Sequence, residues 1–505
     1  MKKIIYNSIL TLGLGFLLMT SCTDEFLELT DPNSIISDNF YKNEDQVKQA
    51  VNGVYGQLQD IVTNQYIFTE LVTDNTTVQI NPQDRGQADR VESIDFWTYE
   101  PSNFNLDQAY KQIYNSIHNI NSILQRMEGA DLPEGKRNQF TGEMLFLRAY
   151  HYFHLTQYFG DVVLLTEPIE SVDDSYEQTR TPSAEVYSQI IADLQEAANL
   201  LPLKSEYTST EVGRAPKGAA LALLGKVYLT IGQSAQAIDP LREVTGLGYD
   251  LLPDYASIFD PANKNHAESI FEVQYQGGNN LGENSVFAYI FAPINSNGVI
   301  TGYATEATNG WNMPTNSIID AFEPGDLRKD VSLQESYVDV DDSVVEVPYI
   351  NKYINEHSVP GRTDDNWPVI RYSEVLLLLA EAINEETGGS QEAIDLVNQV
   401  RARAGLAGLS GLDQSALREA IFQERRVELA FENHRWFDLK RLYSNQELLA
   451  LLNAHGQEEL QNPTIDRSGV PYRGNDYDIQ EYELLFPIPE TQMILHTSFS
   501  QNPGY

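Results

Sequence analysis

Apolar residues recur along most of this chain at the spacing of an α-helix. Between positions 107 and 127, for example, the apolar residues at 110, 113, 114, 117, 120 and 124 fall on one stripe of a helix. Seven further segments show this periodicity, and Thr181 with Pro182 gives a helix start signal for one of them. The pattern predicts a mainly α-helical protein with helices over 107–127, 144–158, 182–200, 217–230, 234–244, 371–385, 391–404 and 415–441.

Some of these helices carry the signature of a repeat. Leu221, Leu224, Gly225 and Tyr228 follow the tetratricopeptide phase W-x2-L-G-x2-Y, with leucine in the tryptophan position. Ala237 then supplies the small residue that close packing of the second helix requires. Weaker copies of the phase include Leu145, Ala149 and Tyr152, and a third helix pair surrounds Gly388, Gly389 and Ala393. Helix pairs of this kind predict a tetratricopeptide-like scaffold, an α-solenoid of antiparallel pairs.

The texture of the sequence changes between about 250 and 367. This stretch is rich in Gly, Asn, Pro, Ser and Tyr, and it contains one alternating apolar segment at 338–347. We expect a loop-rich lobe with short strands, and residues 76–106 have a similar composition. Because binding residues concentrate on loops held by a rigid framework, we place the candidate site in these two regions.

The N-terminus has the features of a bacterial lipoprotein signal. Two lysines begin the chain, an apolar run follows at 9–19, and two small residues precede Cys22, the only cysteine. That run is shorter than the roughly 20 apolar residues a membrane span requires. We expect residues 1–21 to be removed as a signal peptide, Cys22 to be lipidated, and residues 22–33 to form a polar tether. The alternative is a buried free cysteine in a short N-terminal helix.

The remaining chain is predicted to fold as one compact unit. An N-terminal helical region covers 34–249, and a C-terminal region covers 250–505. Within the second region we expect the loop-rich lobe at 250–367, helices at 368–445 and an irregular segment at 446–505.

The charge balance restricts the partners of the protein. The chain has 73 acidic and 33 basic residues, which gives a formal net charge of −40 at pH 7. Nucleic acid is excluded as a partner, because its binding depends on basic side chains that neutralise phosphates. The same field favours a neutral polysaccharide over an anionic one. A single cysteine allows no internal disulfide bond.

No motif in the sequence indicates catalysis. The eight histidines form no H-E-x-x-H, and neither a G-x-S-x-G nor a P-loop occurs in a suitable context. Two carboxylates distant in sequence would suffice for a glycosidase, and that alternative stays open. Asp339, Asp341 and Asp342 suggest structural calcium but lack the glycine and glutamate of an EF-hand loop. We therefore predict a non-catalytic protein without cofactor or bound metal, and a solvated turn at these aspartates.

A series of short motifs occurs in order along the chain. The motifs are CTDEFL at 22–27, RAY at 148–150, YFGDVVL at 158–164, NWPVIRYSEV at 366–375, NQVRARAGL at 398–406, ERRVELAFE at 424–432, RWFDL at 435–439, PIP at 487–489 and QNPGY at 501–505. Together they resemble the SusD/RagB family of outer-membrane nutrient-binding lipoproteins of Bacteroidetes. The resemblance extends over essentially the whole chain that follows the signal peptide. We expect most of these motif residues, Trp367, Trp436 and Phe437 among them, to serve the scaffold.

The resemblance implies a function. Members of this family bind oligosaccharides or polysaccharides at the cell surface and deliver them to a SusC-like TonB-dependent outer-membrane transporter. The implied location is the outer membrane, with the lipid at Cys22 as anchor and the protein exposed at the surface. Two alternatives remain. One is a transporter lid for peptides or other nutrients that has no glycan site of its own, and the other is a surface glycoside hydrolase.

Aromatic residues in the loop-rich regions are the candidates for ligand contact. A sugar ring has apolar C–H faces and a rim of hydroxyl groups, so it suits an aromatic platform bordered by polar groups. Trp97 lies where family members often carry a stacking aromatic ring, and Trp311 lies among glycines and asparagines. The other candidates are Tyr289 and Tyr303 as platforms, and Asp74, Asn75 and Arg85 for edge contacts. Most of the 52 aromatic residues must nevertheless pack in the core.

Overall fold

Helices dominate the computed structural model, which describes residues 40–82, 88–279, 282–466, 470 and 472–505. Cys22, the tether and Arg85 lie outside these residues, so their expected roles stay predictions. The N-terminal part contains α1 (Glu44–Thr63), α2 (Tyr66–Thr69), α3 (Ala88–Asp95), α4 (Phe104–Met127), α5 (Glu134–Phe159), α6 (Val172–Tyr176), α7 (Ser183–Leu200), α8 (Lys217–Thr230) and α9 (Ser234–Thr245). Helix α3 forms within 76–106, where we expected loops.

The long helices pack in a series of neighbours. Helix α4 packs between α1 and α5, and α7, α8 and α9 follow in turn. Gly225 in α8 shows why the repeat needs a glycine, because an added Cβ would lie 2.6 Å from Cδ2 of Leu241 in α9. Ala237 is fully buried at the same contact. This arrangement confirms the predicted mainly α-helical, tetratricopeptide-like scaffold.

The C-terminal helices continue the series. Helix α9 packs against α13 (Tyr372–Thr387), which in turn packs against both α14 (Gln391–Arg403) and α15 (Gln414–Glu428). The predicted helix over 415–441 is wrong as one element, because the chain breaks between Leu429 and His434. Phe431 and Asn433 adopt left-handed backbone conformations there, with φ of 64° and 66°. The helices of this part are α10 (Phe287–Phe291), α11 (Asn316–Ile319), α12 (Lys329–Ser332), α13 (Tyr372–Thr387), α14 (Gln391–Arg403), α15 (Gln414–Glu428), α16 (Arg435–Leu442), α17 (Asn445–Gln461) and α18 (Glu490–Leu495).

The segment 446–505 is less irregular than predicted. It begins inside α17, whose first turn is closed by a capping box between Ser444 and Glu447. Leu448 and Leu452 then bury one face of the helix. After α17, the chain is irregular apart from α18 and a short 3₁₀ turn at Glu481–Leu484. The S-x-x-E pattern at 444–447 is the sequence signal of this capping box.

Short strands hold the loop-rich lobe together. They form four antiparallel pairs, β1 with β3, β2 with β8, β4 with β7 and β5 with β6. The alternating segment at 338–347 forms the β5–β6 hairpin, as its pattern predicts. The pairing of β1 with β3 brings the chain near residue 76 beside residues 311–315. The strands are β1 (Thr76–Thr77), β2 (Ser269–Val273), β3 (Met313–Pro314), β4 (Leu333–Gln334), β5 (Tyr337–Val338), β6 (Val344–Val345), β7 (Tyr349–Ile350) and β8 (Trp367–Arg371).

A buried cluster of ion pairs ties this lobe to the C-terminal helices. Arg371 at the end of β8 contacts Glu268 at 2.6 Å, Glu428 at 2.9 Å and Glu432 at 2.7 Å. Arg328 approaches Glu428 from the other side at 3.0 Å. All five side chains are almost completely buried. The three glutamates therefore have guanidinium partners in place of water, and removal of one partner would leave buried charge uncompensated.

Candidate functional site

Three of the four tryptophans are buried, and all four lie in the described residues. Trp367 and Trp436 are 2% and 1% exposed, as expected of scaffold residues. Trp97 is 5% exposed and packs on the rings of Trp436, at 5.9 Å between centroids, and Tyr99, at 6.3 Å. Trp311 alone among the four retains part of its surface.

Trp97 therefore does not offer the free platform that the sequence suggested. It follows the end of α3 in a left-handed conformation, with φ of 57°, and its ring lies in the continuous hydrophobic core. Trp436, its main partner, lies on α16 at the far end of the sequence. We assign Trp97 to the core.

Trp311 lies on a segment whose backbone is fixed on both sides. Its amide donates to the carbonyl of Ile290 at 3.0 Å, and the amide of Gly310 donates to that of Ala292 at 2.9 Å. Gly310 and Asn312, which flank Trp311, both have left-handed backbones, with φ of 62° and 60°. Main-chain hydrogen bonds thus hold the backbone that carries this indole beside α10.

Gln79 joins this segment to the chain that follows β1. The backbone N–H of Gln79 donates to the carbonyl of Gly310, and its side-chain Oε1 accepts from the backbone N–H of Ile294, each at 2.7 Å. A Cβ at position 310 would lie 2.7 Å from that same Oε1. Only glycine therefore leaves room for the glutamine side chain at this point.

His357 connects the two candidate tyrosines. The Tyr303 hydroxyl donates to the His357 carbonyl at 2.9 Å, and the Tyr289 hydroxyl lies 2.7 Å from His357 Nε2. Because His357 Nδ1 lies 2.9 Å from the carbonyl of Asn355, Nδ1 carries the ring proton and Nε2 accepts from Tyr289. Tyr289 is 5% exposed, and burial raises the pKa of its hydroxyl. Tyr303 is half-buried, so it can still present ring surface.

The buried carboxyl group of Asp365 is hydrogen-bonded to this group of residues. Asp365 Oδ1 accepts from Asn355 Nδ2 at 2.7 Å, and its Oδ2 is buried without a hydrogen-bond partner among the described residues. Burial raises the pKa of Asp365 to about 6, against the hydrogen bonds that favour its ionised form. Tyr289, His357, Asn355 and Asp365 are therefore connected by hydrogen bonds within the loop-rich lobe.

Asp74 and Asn75 have a different role from the one expected. Asp74 makes a two-pronged ion pair with Arg435, at 2.8 and 2.9 Å, and contacts Arg426 at 3.0 Å. The two guanidinium groups outweigh burial and hold the pKa of Asp74 well below its usual range. Asn75 accepts from Arg426 at 2.8 Å and is 1% exposed. Both side chains are engaged in the interior, so we no longer assign them to the ligand edge.

The aspartates between β5 and β6 form a turn. Asp339 Oδ1 accepts from the amide of Val340 at 2.7 Å, and Asp341 Oδ1 accepts from that of Ser343 at 3.1 Å. In the part of the chain that the structure describes, no three His, Cys, Asp or Glu side chains converge to hold a metal ion.

No helix among the described residues combines the length and the apolar character needed to cross a membrane.

The structure thus brings Trp311, Tyr289 and Tyr303 together through main-chain and side-chain contacts. Sequence reasoning missed His357 and Gln79, which fix this group. Their partners are far away along the chain, and neither residue belongs to a motif. No local signal could have indicated them.

Comparisons with known proteins agree with this architecture. Two family models match separate parts of the chain: "Starch-binding associating with outer membrane" matches residues 25–229, and "SusD family" matches residues 340–505. SusD-like protein P2 of Formosa agariphila is 28% identical, and the alignment covers 97% of this chain and 98% of that protein.

Solved structures extend the similarity to three dimensions. A SusD-like protein from Bacteroides fragilis NCTC 9343 is 25% identical with a TM-score of 0.72, over 93% of this chain and 99% of that one. A structure described as a laminarin-binding SusD-like protein is 27% identical with a TM-score of 0.74, over 92% of this chain and all of that one.

Proposed function

Because this chain belongs to the SusD/RagB-like family, we propose that it binds a neutral oligosaccharide or polysaccharide at the outer membrane without catalysing its cleavage. The observation that carries the proposal is the single partly exposed indole, Trp311, on a hydrogen-bonded backbone segment of the loop-rich lobe. An aromatic ring on an ordered backbone segment loses less conformational entropy when a sugar ring stacks on it than one on a flexible loop. Tyr303 supplies further ring surface from the same lobe.

Neutral glucans are the ligand class that best fits this site and the charge of the chain. The relative described as binding laminarin shares the fold over nearly the whole chain. The net charge of −40 disfavours uronate-rich or sulfated chains at long range. Stacking on C–H faces requires no charge on the sugar.

Delivery to a TonB-dependent transporter completes the proposal. The lipid on Cys22 anchors the protein to the outer membrane with the fold exposed at the cell surface. Residues 22–33 act as the tether between the lipid and the fold. The protein acts as a lid on its SusC-like partner, and a bound glycan favours the closed state to the extent that it binds that state more tightly. Fatty-acid labelling of Cys22, surface labelling of intact cells and co-purification with the transporter test these steps separately.

A comparison of two tryptophan variants tests the site. Trp311→Ala should weaken retention on laminarin in an affinity gel by more than tenfold, equivalent to about 1.4 kcal/mol, and leave the melting temperature nearly unchanged. Trp97→Ala removes a buried ring instead, and it should lower the free energy of unfolding by about 3–5 kcal/mol. Isothermal calorimetry with soluble glucans gives the affinities, and urea unfolding gives the stabilities.

Equal affinity of the wild type and Trp311→Ala for every bound glucan would reject the assignment of Trp311. A protein that binds no glycan but still co-purifies with its transporter would support the lid alternative. Release of shorter products from a bound glycan on prolonged incubation would support the hydrolase alternative.

A further inference from the structure

A cavity lies in the helical part of the molecule, between α4, α5 and the C-terminal end of α1. Its volume is about 170 Å³. An apolar cavity of about 150 Å³ accommodates a six-membered ring, so this space is of the right size for one. Phe104, which is 45% exposed, and the exposed Asn64 stand at the rim, while the rings of Phe68, Tyr150 and Tyr158 line the interior.

The lining of this cavity contains no charged side chain, although 73 of the 505 residues are acidic. Two histidines line it, His151 and His154, and burial lowers the pKa of each to about 3. Both imidazoles are therefore neutral at physiological pH. The remaining polar side chains are amides, from Asn64, Gln65, Asn105, Gln108 and Gln112. Aromatic rings with amides and neutral imidazoles suit a neutral polar ligand and provide no counter-charge for an ion.

The imidazole of His151 lines this cavity with ring surface only. Its Nε2 lies 2.8 Å from the hydroxyl of Ser116, and its Nδ1 is fully buried, so neither nitrogen is open to a ligand. The hydrogen-bonding groups that a ligand can reach are therefore the partly exposed amides of Asn105, Gln108 and Gln112. An amide has both a donor and an acceptor, and it therefore suits a ligand hydroxyl.

We propose that this cavity is a separate binding site for one neutral six-membered ring that carries hydroxyl groups, such as the pyranose ring of a neutral sugar. The ring lies against the aromatic walls. The side chain of Gln112, which makes no hydrogen bond to another described residue, reaches one of its hydroxyl groups from the rim. The site shares no residue with the Trp311 region and does not depend on the function proposed for that region.

The test fills the cavity and measures binding of a small probe. Ala109 lines the cavity on α4 and is partly buried, so Ala109→Phe places a ring in the space that the ligand would occupy. Ala235→Phe makes the same change at an exposed position of α9 and is the matched control. Saturation-transfer NMR with methyl β-D-glucoside and methyl α-D-glucoside should show binding to the wild type and to Ala235→Phe. Affinity should fall at least tenfold in Ala109→Phe.

A second, smaller change guards against a folding artefact. Gln112→Ala leaves the cavity open and removes only the rim amide, so it should weaken binding of the glucoside several-fold at an unchanged melting temperature. Equal affinity of Ala109→Phe and the wild type, or no glucoside binding by the wild type, would overturn the proposal. Competition by laminarihexaose would identify a chain end as the natural source of the ring, and its absence would identify a free monosaccharide.

The two sites can fail independently. Trp311→Ala should leave glucoside binding unchanged, and Ala109→Phe should leave retention on laminarin unchanged. A wild type that binds the glucoside but no glucan would reject the proposed function and keep the cavity. A glucoside signal lost in Trp311→Ala and kept in Ala109→Phe would reject the cavity and keep the proposed function.

Discussion

Single side chains assemble the Trp311 region from distant parts of the sequence. His357 holds Tyr289 and Tyr303 through its Nε2 and its carbonyl, and Asn355 fixes the tautomer of that histidine. Each link is between 2.7 and 2.9 Å long, so a change at one residue reaches the next. Asp365 ends this series, and burial raises the pKa of its carboxyl group to about 6.

Replacement of Asp365 by asparagine should make the protein more stable above pH 6. Burial raises the pKa of Asp365 to about 6, against about 3.9 in the unfolded chain. Because the folded state holds this proton more tightly, the stabilisation is complete below the unfolded pKa and is lost as the pH rises through 6. Asp365→Asn keeps an oxygen for Asn355 and cannot ionise. Its free energy of unfolding should exceed that of the wild type by about 3 kcal/mol at pH 8 and by about half as much at pH 5.

Urea unfolding at the two pH values measures this difference. Asp239→Asn, on the exposed surface of α9, is the matched control. An advantage of Asp365→Asn that is the same at pH 5 and pH 8 would show that the carboxyl does not titrate in this range.

The sequence could identify the two loop tryptophans but could not separate them. Both Trp97 and Trp311 lie in regions of the sequence that are rich in polar and turn-forming residues. Their difference arises from tertiary contacts, because Trp97 meets Trp436 in the core and Trp311 meets no other aromatic ring within the described residues. Likewise, nothing beside Asp74 in the sequence indicates that Arg435 neutralises it.

At the scale of elements, the helical repeat was the most predictable feature. Amphipathic spacing located α4, α7, α8, α9, α13 and α14 to within about three residues at each end, whereas α5 begins earlier than expected, at Glu134. The short helices α6, α10, α11 and α12 were not predicted. The errors occurred where tertiary contacts decide the backbone. The break before α16 is one of them, since the buried amide of Asn433 donates to Glu70 Oε1 at 2.7 Å instead of continuing a helix.

Two helical glycines should respond to alanine in opposite ways. In α8, the new Cβ of Gly225→Ala would collide with Leu241 and force α9 away, at a cost of about 1–3 kcal/mol. In α1, Gly53 is exposed with nothing within 4 Å of an added Cβ, so Gly53→Ala should stabilise the protein by up to about 1 kcal/mol. Chemical denaturation of the pair measures both effects. Equal effects of the two substitutions would mean that α8 and α9 are not in close contact.

The whole molecule combines a continuous apolar core with a strongly acidic composition. The core cluster extends from Val47 to Phe499, so the helical scaffold and the loop-rich lobe share one interior. The buried cluster around Arg371 adds ionic ties between the same parts. Composition predicted the net charge, but it could not predict that so many of the arginines lie in the interior, paired with acids.

Salt should therefore discriminate between classes of polysaccharide. At 0.1 M salt the Debye length is about 10 Å, and at 1 M it is about 3 Å. Retention on alginate gels should be weak at the lower concentration and increase at the higher one, because screening reduces the repulsion from a net charge of −40. Retention on laminarin should not change. Strong retention on alginate that decreases with salt would instead indicate a local basic patch.

Because the four indoles are unequally buried, quenching of the intrinsic tryptophan fluorescence can report on Trp311 selectively. Trp97, Trp367 and Trp436 are shielded from solvent, so a small quencher such as acrylamide reaches chiefly Trp311. A sugar stacked on that ring would protect its emission. Occupancy of the lobe can thus be followed by intrinsic fluorescence, without a label, once the Trp311→Phe background has been subtracted.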